Sequence, residues 1–456
     1  MEKTMKTHSV NRRDFVKKSF FTLAAAGTAA GMASDKKDES KKVEEKKPEE
    51  VAVVEKLIGS APILQNAAET SVTVTFAVTA DAIGWVEYST SSDMANAKRV
   101  FAGGTGLVTL DDKIAHVTLR GLKGATRYWY RIGADRIKYK NGYSMKNLGP
   151  EVDPKIRSFQ TIGADATGSF CVINDTHDNK KVLDKAFTKL AELKPRAIIW
   201  NGDATNVTET KEHAINMFIH AHKEHPEYAA EIPLMFVNGN HDLRGRFART
   251  MHELLPFRET SERSGEYFDL GRNFVQRLGD IALIGMDTGE DKLDTNPLFA
   301  GLFQMQAYRE KQARWLAEVI ETPVVKTAKF KVVFCHIPLY DPRPSANPGD
   351  LAPRDRAPGY KADYAAWQRT CANLWSPSFE RAGVQLVITA HQHCVNYYAP
   401  EAGRSWAQIV GGGCTLTSTH PKCFPSVIEG KVKDGKLSVT VHDLTHDNIY
   451  GEYTFA

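Results

Sequence analysis

The stretch "IIWNGDATNV", Ile198–Val207, runs an apolar, β-branched segment into an abrupt Gly-Asp and sets Asn206 three residues beyond the carboxylate. The run predicts a buried strand. A carboxylate at the end of such a strand is costly to desolvate on its own, so Asp203 calls for a charged partner.

Four other apolar runs end in the same manner. "FCVINDTH" closes on Asp175 and His177, and "LMFVNGNHD" on Asn240, His241 and Asp242. "KVVFCHIP" closes on His336, and "LVITAHQH" on His391 and His393. Ligand sites of open α/β sheets lie beyond the carboxyl ends of the strands, so segments distant in the chain can meet there. A single His at a strand end is ordinarily structural; the repetition is what points to a site. A metal removes the cost of burying these groups. The set divides into Asp175, His177 and His393 for one ion and Asn240, His336 and His391 for a second, with Asp203 bridging. Mixed nitrogen and oxygen ligation suits Fe, Mn, Zn or Co rather than Ca or a soft-metal centre. Two such ions, roughly 3.5–4 Å apart, clamp a phosphoryl group and activate water.

The texture around these motifs divides the chain. Over residues 164–456, apolar runs alternate with helical segments such as "KVLDKAFTKLAEL" (Lys181–Leu193) and "QARWLAEVIE" (Gln312–Glu321), which predicts an α/β layered domain. Over 57–163, short period-two runs at Ser71–Val78, Gly84–Thr90, Ala115–Leu122 and Arg127–Gly133 predict an antiparallel β-sandwich. Its texture at Leu122–Arg131 resembles fibronectin type III-like modules, with the Tyr and Trp residues as core. Residues 34–56 are largely Lys and Glu and read as a solvated tether. Residues 1–33 pair Arg12-Arg13 with an Ala/Gly-rich run too short to span a bilayer, resembling a twin-arginine export signal. The expected location is periplasmic or extracellular, with no membrane span after cleavage.

Residues 1–33 hold six Lys/Arg against two Asp/Glu, which is the whole of the net charge of +4. The remainder is neutral, so charge argues for no nucleic-acid polymer as partner. Six cysteines show no zinc-finger spacing. Cys171 and Cys335 read as buried hydrophobes, and an oxidising compartment permits a disulfide among Cys371, Cys394, Cys414 and Cys423, in a pairing the sequence leaves open.

The order D-x-H, G-D, G-N-H-D, H, H-x-H resembles the calcineurin-like metallophosphoesterase superfamily from about Gly168 to Asp447. The sandwich before it resembles purple acid phosphatases and their bacterial relatives. The resemblance implies a four-layer α/β/β/α sandwich preceded by the all-β domain, with a dinuclear metal centre. It implies that Asp175, His177, Asp203 and His393 hold one metal and Asp203, Asn240, His336 and His391 the other. It further implies that a metal-bridging hydroxide would attack phosphorus, that His241 would protonate the leaving oxygen, and that Asp242 would orient the His241 ring. Two departures stand out. Ala390 replaces the usual Gly of the last motif. Asn206 occupies the position of the iron-binding Tyr of the purple enzymes while His177 is present, so one imidazole replaces one phenolate; Asn206 is a replaced ligand or stands just behind the ligands.

Arg244, Arg246, Arg343, Arg354 and Arg356 are the candidate substrate contacts, the last three in the Pro/Gly-rich segment Tyr340–Gln368, read as a surface lid. "GGGC", Gly411–Cys414, reads as a tight turn at the rim. The expected activity is hydrolysis of a small phosphate ester, a monoester first, with a phosphodiester or nucleotide as alternative. A non-catalytic surface-binding protein is the reading from another class.

Overall fold

A computed structural model of the chain describes residues 55–220, 223–256, 265–342 and 360–456. The expected export signal, nearly all of the tether, and Arg343, Arg354 and Arg356 lie outside them.

The buried run at Ile198 forms the strand Ile198–Asn201, paired in parallel with Ser169–Ile173 on one side and Leu234–Val237 on the other. Both faces of this sheet are covered, so its strands are apolar throughout. Ile199 and Val172 point toward the inner core, whereas Ile198, Trp200, Cys171 and Ile173 point outward. The outward residues pack on the helices Lys180–Leu193 and Lys211–Phe218. Asn179 caps the first of these, its side chain accepting from Lys181 N and Val182 N.

A six-stranded sheet faces the first. Its parallel centre comprises Ile281–Met286, Phe330–Cys335, Leu386–Thr389 and Ala407–Val410. Behind it lie the helices Met305–Val319 and Tyr360–Ala382, packed through Trp315, Leu316, Trp367, Trp375 and Phe379. The layers are therefore α/β/β/α. Between the sheets Phe170 meets Phe334 edge to face at 5.2 Å. Asn201, fully buried, ties the sheets together: its Nδ2 donates to the carbonyls of Cys335 and Ile388.

The sandwich strands appear where period-two patterning put them, at Ser71–Ala77, Ala82–Ser89 and Ile114–Arg120. The strand from Arg127 runs on to Asn141 and turns into Ser144–Val152, a long hairpin that polar residues concealed from apolar patterning. One sandwich sheet does not end at the sandwich. Ile63–Gln65 pairs in parallel with Leu234–Val237, so Ile63–Gln65, Ser71–Ala77 and Ile114–Arg120 extend the first sheet to nine strands. The core follows the hydrogen bonding, running without a break from Val74, Val86 and Tyr130 to Ile199, Phe334 and Ile388.

One expectation changes here and one open pairing is filled. Tyr360–Gln368, expected in a lid, begins a helix that continues to Ala382, and Trp367 is fully buried in the outer core. Of the four cysteines left open, Cys394 pairs with Cys423, directly after His393. No helix among the described residues is long and apolar enough to cross a membrane.

Phe334→Ala removes a ring that both sheets pack against and should lower stability by about 3–5 kcal/mol. Chemical denaturation checks it; a loss below about 1 kcal/mol would show that the two sheets do not share this core.

Candidate metal centre

Successive strand-end loops are laced together by their backbones. Asp175 N donates to Gly202 O at 3.1 Å and His177 N to Asp203 O at 3.0 Å, which sets the D-x-H and G-D motifs side by side. The turns are sharp. Asp175, His177, Asp203, His391 and His393 all take positive φ, between 44° and 68°. That region is strained for residues with a Cβ, and such strain concentrates at functional sites. Ala390 lies outside it, so the methyl that replaces the usual hydrogen carries no backbone strain. Gly202 and Gly239 let the loops touch: a Cβ on Gly239 would stand 2.2 Å from Asp203 Oδ1.

The side chains converge. His177 Nε2 lies 3.0 Å from His393 Nε2 and 3.4 Å from Asp203 Oδ2. Asp175 Oδ1 is 3.4 Å from His393 Nε2 and 3.7 Å from His336 Nε2. His336 Nε2 approaches Asp203 Oδ2 at 3.1 Å, and His391 Nδ1 lies 3.0 Å from Asn240 Oδ1. Among the described residues, Asp175/His177/Asp203/His393 and Asp203/His336/His391 each have metal-ligand spacing, and Asp203 belongs to both.

Whether these residues suit a cation is decided by their unsatisfied atoms. Asp175 Oδ1 and His336 Nε2 are buried without a hydrogen-bond partner, and both face the cluster. The remaining valences are committed. His336 Nδ1 donates to Asn201 O at 2.8 Å, which turns Nε2 inward. Asp175 Oδ2 accepts from Asn174 Nδ2 and His391 N. Oriented, desolvated donors left open on one side fit a metal.

Electrostatics agree. Burial would push the His336 imidazole down, but Asp203 and Asp175 outweigh it and lift its pKa to about 9. Burial would likewise raise both carboxyls, yet the surrounding imidazoles hold Asp175 and Asp203 below the ordinary carboxylate range. His391 goes the other way: its buried ring is pushed down to about 4, leaving it neutral as a ligand must be.

Around His241 the arrangement departs from expectation in two respects. Asp242 does not touch the His241 ring. Its Oδ1 accepts from Ala204 N and Thr205 N and its Oδ2 from Gly239 N, so it braces the loop that carries Asp203. The carboxylate has gone to backbone donors because the turn of Asp203 leaves those N–H groups buried and otherwise unpaired. Asn206 holds the ring instead: His241 Nδ1 donates to its carbonyl at 2.9 Å. The Asn206 side chain faces away from the ligands, toward His177 O and Asp178. Burial, with Arg244 adding to it, pushes His241 down to about 4, so the imidazole is neutral near pH 7.

Arg244 reaches the site, its Nη1 lying 3.1 Å from His241 Nε2, whereas Arg246 is exposed and its backbone N donates to Glu209. "GGGC" is a rim turn as expected: Gly413 packs on His393, where a Cβ would come within 2.4 Å, and Cys414 Sγ lies 3.9 Å from His393 Nδ1. The strand-end reading overlooked Glu290 and Asp291, both buried beside Arg244 and His391. The signal was present. "IALIGMDTGED" is a sixth apolar run ending in carboxylates.

These shifts give the chelated protein a defined pH response. A group raised from about 6.5 to about 9 contributes stability that is complete below about 6.5 and lost as pH climbs through 9. The depressed carboxylates contribute above their ordinary range and lose it on acidification. Metal-free protein should therefore melt at falling temperature from about pH 6.5 to 9.5. Metal-loaded protein should not, because the metal replaces the His336 proton. A chelated protein with constant Tm across that window would contradict the assignment.

The family model for calcineurin-like phosphoesterases matches residues 168–395, half of the chain and all five motifs. No curated protein matches the sequence. Among solved structures, a purple acid phosphatase from yellow lupin (Lupinus luteus) seeds superposes with a TM-score of 0.55 at 13% identity, covering 86% of this chain and 73% of that one. PhoD superposes with a TM-score of 0.56 at 11% identity, covering 87% of this chain and 90% of the other. At such identities these likenesses speak for the fold, including the layers outside the matched segment. With its motifs assembled on that fold, the chain belongs to the calcineurin-like phosphoesterase family.

Proposed function

We propose that this protein is an exported, dinuclear metal-dependent phosphoesterase that hydrolyses small phosphate esters, monoesters in preference to diesters. The observation that carries the reading is Asp203, one buried carboxylate common to two ligand groups. Asp175, His177, Asp203 and His393 would hold one ion and Asp203, Asn240, His336 and His391 the other. When bound, the ions supply Lewis acidity toward the phosphoryl oxygens and a nucleophile from water at neutral pH. No Tyr stands at the Asn206 position to favour ferric iron, so Fe, Mn, Zn and Co are all acceptable and a strong visible band is not expected.

The chain's own groups supply the rest. His241 is held by the Asn206 carbonyl through Nδ1, and Nε2 faces Arg244. The free ring is neutral; an arriving phosphate anion is the charge that draws a proton to Nε2, from which it passes to the leaving oxygen. Arg244 meets the same face and offers a donor to the phosphoryl group. The monoester preference rests on the sandwich over 57–163, in the position it has in the acid-phosphatase branch. We take that sandwich as a module fused to a catalytic region over 164–456, and residues 1–33 as the export signal.

Purified, metal-loaded protein should hydrolyse p-nitrophenyl phosphate faster than its bis ester. A bis-ester preference would make it a diesterase or nucleotide hydrolase. Turnover of neither ester, with no transition metal bound, would leave a surface-binding protein.

Asp203→Ala should lose both ions by elemental analysis, because Asp203 is a member of both ligand groups; a variant retaining both would contradict the shared ligand. His241→Ala should keep its metal and lose rate mainly on alkyl esters, whose leaving oxygens need the proton. Equal losses on aryl and alkyl esters would argue against proton donation.

A further inference from the structure

The strand Ile281–Met286 ends in "DTGEDK", Asp287–Lys292, which carries two consecutive buried carboxylates, Glu290 and Asp291. Glu290 grips Arg244 along one edge: Nε donates to Oε2 at 3.0 Å and Nη2 to Oε1 at 2.8 Å. Two parallel charge-assisted bonds fix the plane of the guanidinium as well as its position. Only the Nη1 side remains, and it points at His241 Nε2, 3.1 Å away. Asp291 faces the metal side, its Oδ2 lying 3.7 Å from His391 Nε2 while the other nitrogen of that ring meets Asn240.

The loop is held firmly. Arg309 Nη2 donates to the carbonyls of Thr288 and Glu290, and Trp367 Nε1 donates to Thr288 O. Asp287 accepts from Gly289 N and from Asn238 Nδ2, which comes from the facing sheet. Gly289 turns at φ 69°, with no room for a Cβ beside Met305. Packing alone gives no reason for this construction, because apolar side chains of similar volume commonly stabilise as well as a buried ion pair does. What the ion pair adds is a cation presented at a fixed angle beside the His241 ring.

We propose that Glu290 is a positioning residue for the reaction: it holds Arg244 edge-on, so that Nη1 passes from His241 Nε2 to a non-bridging phosphoryl oxygen when substrate binds. This rests on the phosphoesterase reading of the site. A guanidinium with one edge already occupied is a fixed donor suited to one oxygen of a tetrahedral phosphate. An Arg not held in that plane spreads over several poses, including poses remote from the leaving group, and must give up that freedom to bind the anion. Glu290 thereby determines where the phosphoryl group sits relative to His241.

The test is a double-mutant cycle of Arg244→Ala and Glu290→Ala in metal-loaded protein. It is read by kcat and KM on p-nitrophenyl phosphate, by calorimetric titration with inorganic phosphate, and by metal content. Each single variant should lose roughly 10- to 100-fold in kcat/KM and bind phosphate about tenfold more weakly, with both metals retained. The double variant should lose no more than the worse single one, because Glu290 acts only through Arg244. Glu290→Gln, which keeps the shape, should show the same weakened phosphate binding, and Glu290→Asp should recover part of it. Additive losses, unchanged phosphate affinity in Glu290→Gln, or metal loss in Glu290→Ala would each overturn the proposal. Wild-type protein that hydrolyses no phosphate ester would overturn the functional reading itself. An active wild type with an indifferent Glu290→Gln would overturn this inference alone.

Discussion

Two carboxylates, Asp175 and Asp203, are buried in one small volume, and the site exists because their charge must be answered there. Each alone would prefer to be protonated or solvated. Together, facing His177, His336 and His393, they stay ionised only while positive charge is shared among them, as protons on the imidazoles or as metal. The rest of the architecture serves that arrangement. Strand-end turns accept left-handed backbone to aim the candidate ligands, Asp242 accepts backbone hydrogen bonds from the loop carrying Asp203, and Asn201 carries the His336 ring on its carbonyl while tying one sheet to the other.

The two-sheet construction explains how such a site can be rigid. The candidate ligands come from both sheets: Asp175, Asp203 and Asn240 follow strands of one, and His336, His391 and His393 follow strands of the other. The core between them is closely packed aromatic and aliphatic side chain, so any slip of one sheet on the other would disturb both the packing and the ligand distances. The N-terminal sandwich contributes to this. Through the pairing of Gln65 with Leu234 it extends the sheet that bears Asp203 by three strands and shares its core.

Much of the fold was legible because its signals are local. Fully covered parallel strands are apolar on both faces, so Ile198–Asn201 and Leu386–Thr389 could be read as buried without their neighbours. The helix at Lys180 announces itself through periodicity and an Asn cap. The hairpin from Arg127 to Val152 was read short because its outer half is solvated and bears Lys, Asn and Gly where apolar alternation would be sought. Tyr360–Gln368 was read as loop because the Pro- and Gly-rich text before it masked the start of a helix that buries Trp367.

By itself the sequence determined which residues enter the candidate metal site. Asp175, His177, Asp203, Asn240, His336, His391 and His393 each stand at the end of an apolar run, where desolvation forces a polar side chain to find a partner. Which of those groups meet was decided only by the tertiary structure. Asp242 follows His241 directly, yet hydrogen-bonds to the turn of Asp203, and the ring is held by a carbonyl thirty-five residues away. Arg244 and Glu290 are forty-six residues apart and form one ion pair. Hydrogen bonds of this kind depend on the angle at which strands leave their sheets and on which backbone donors each turn leaves unpaired. Those are properties of the packed layers, and no local pattern of residues contains them.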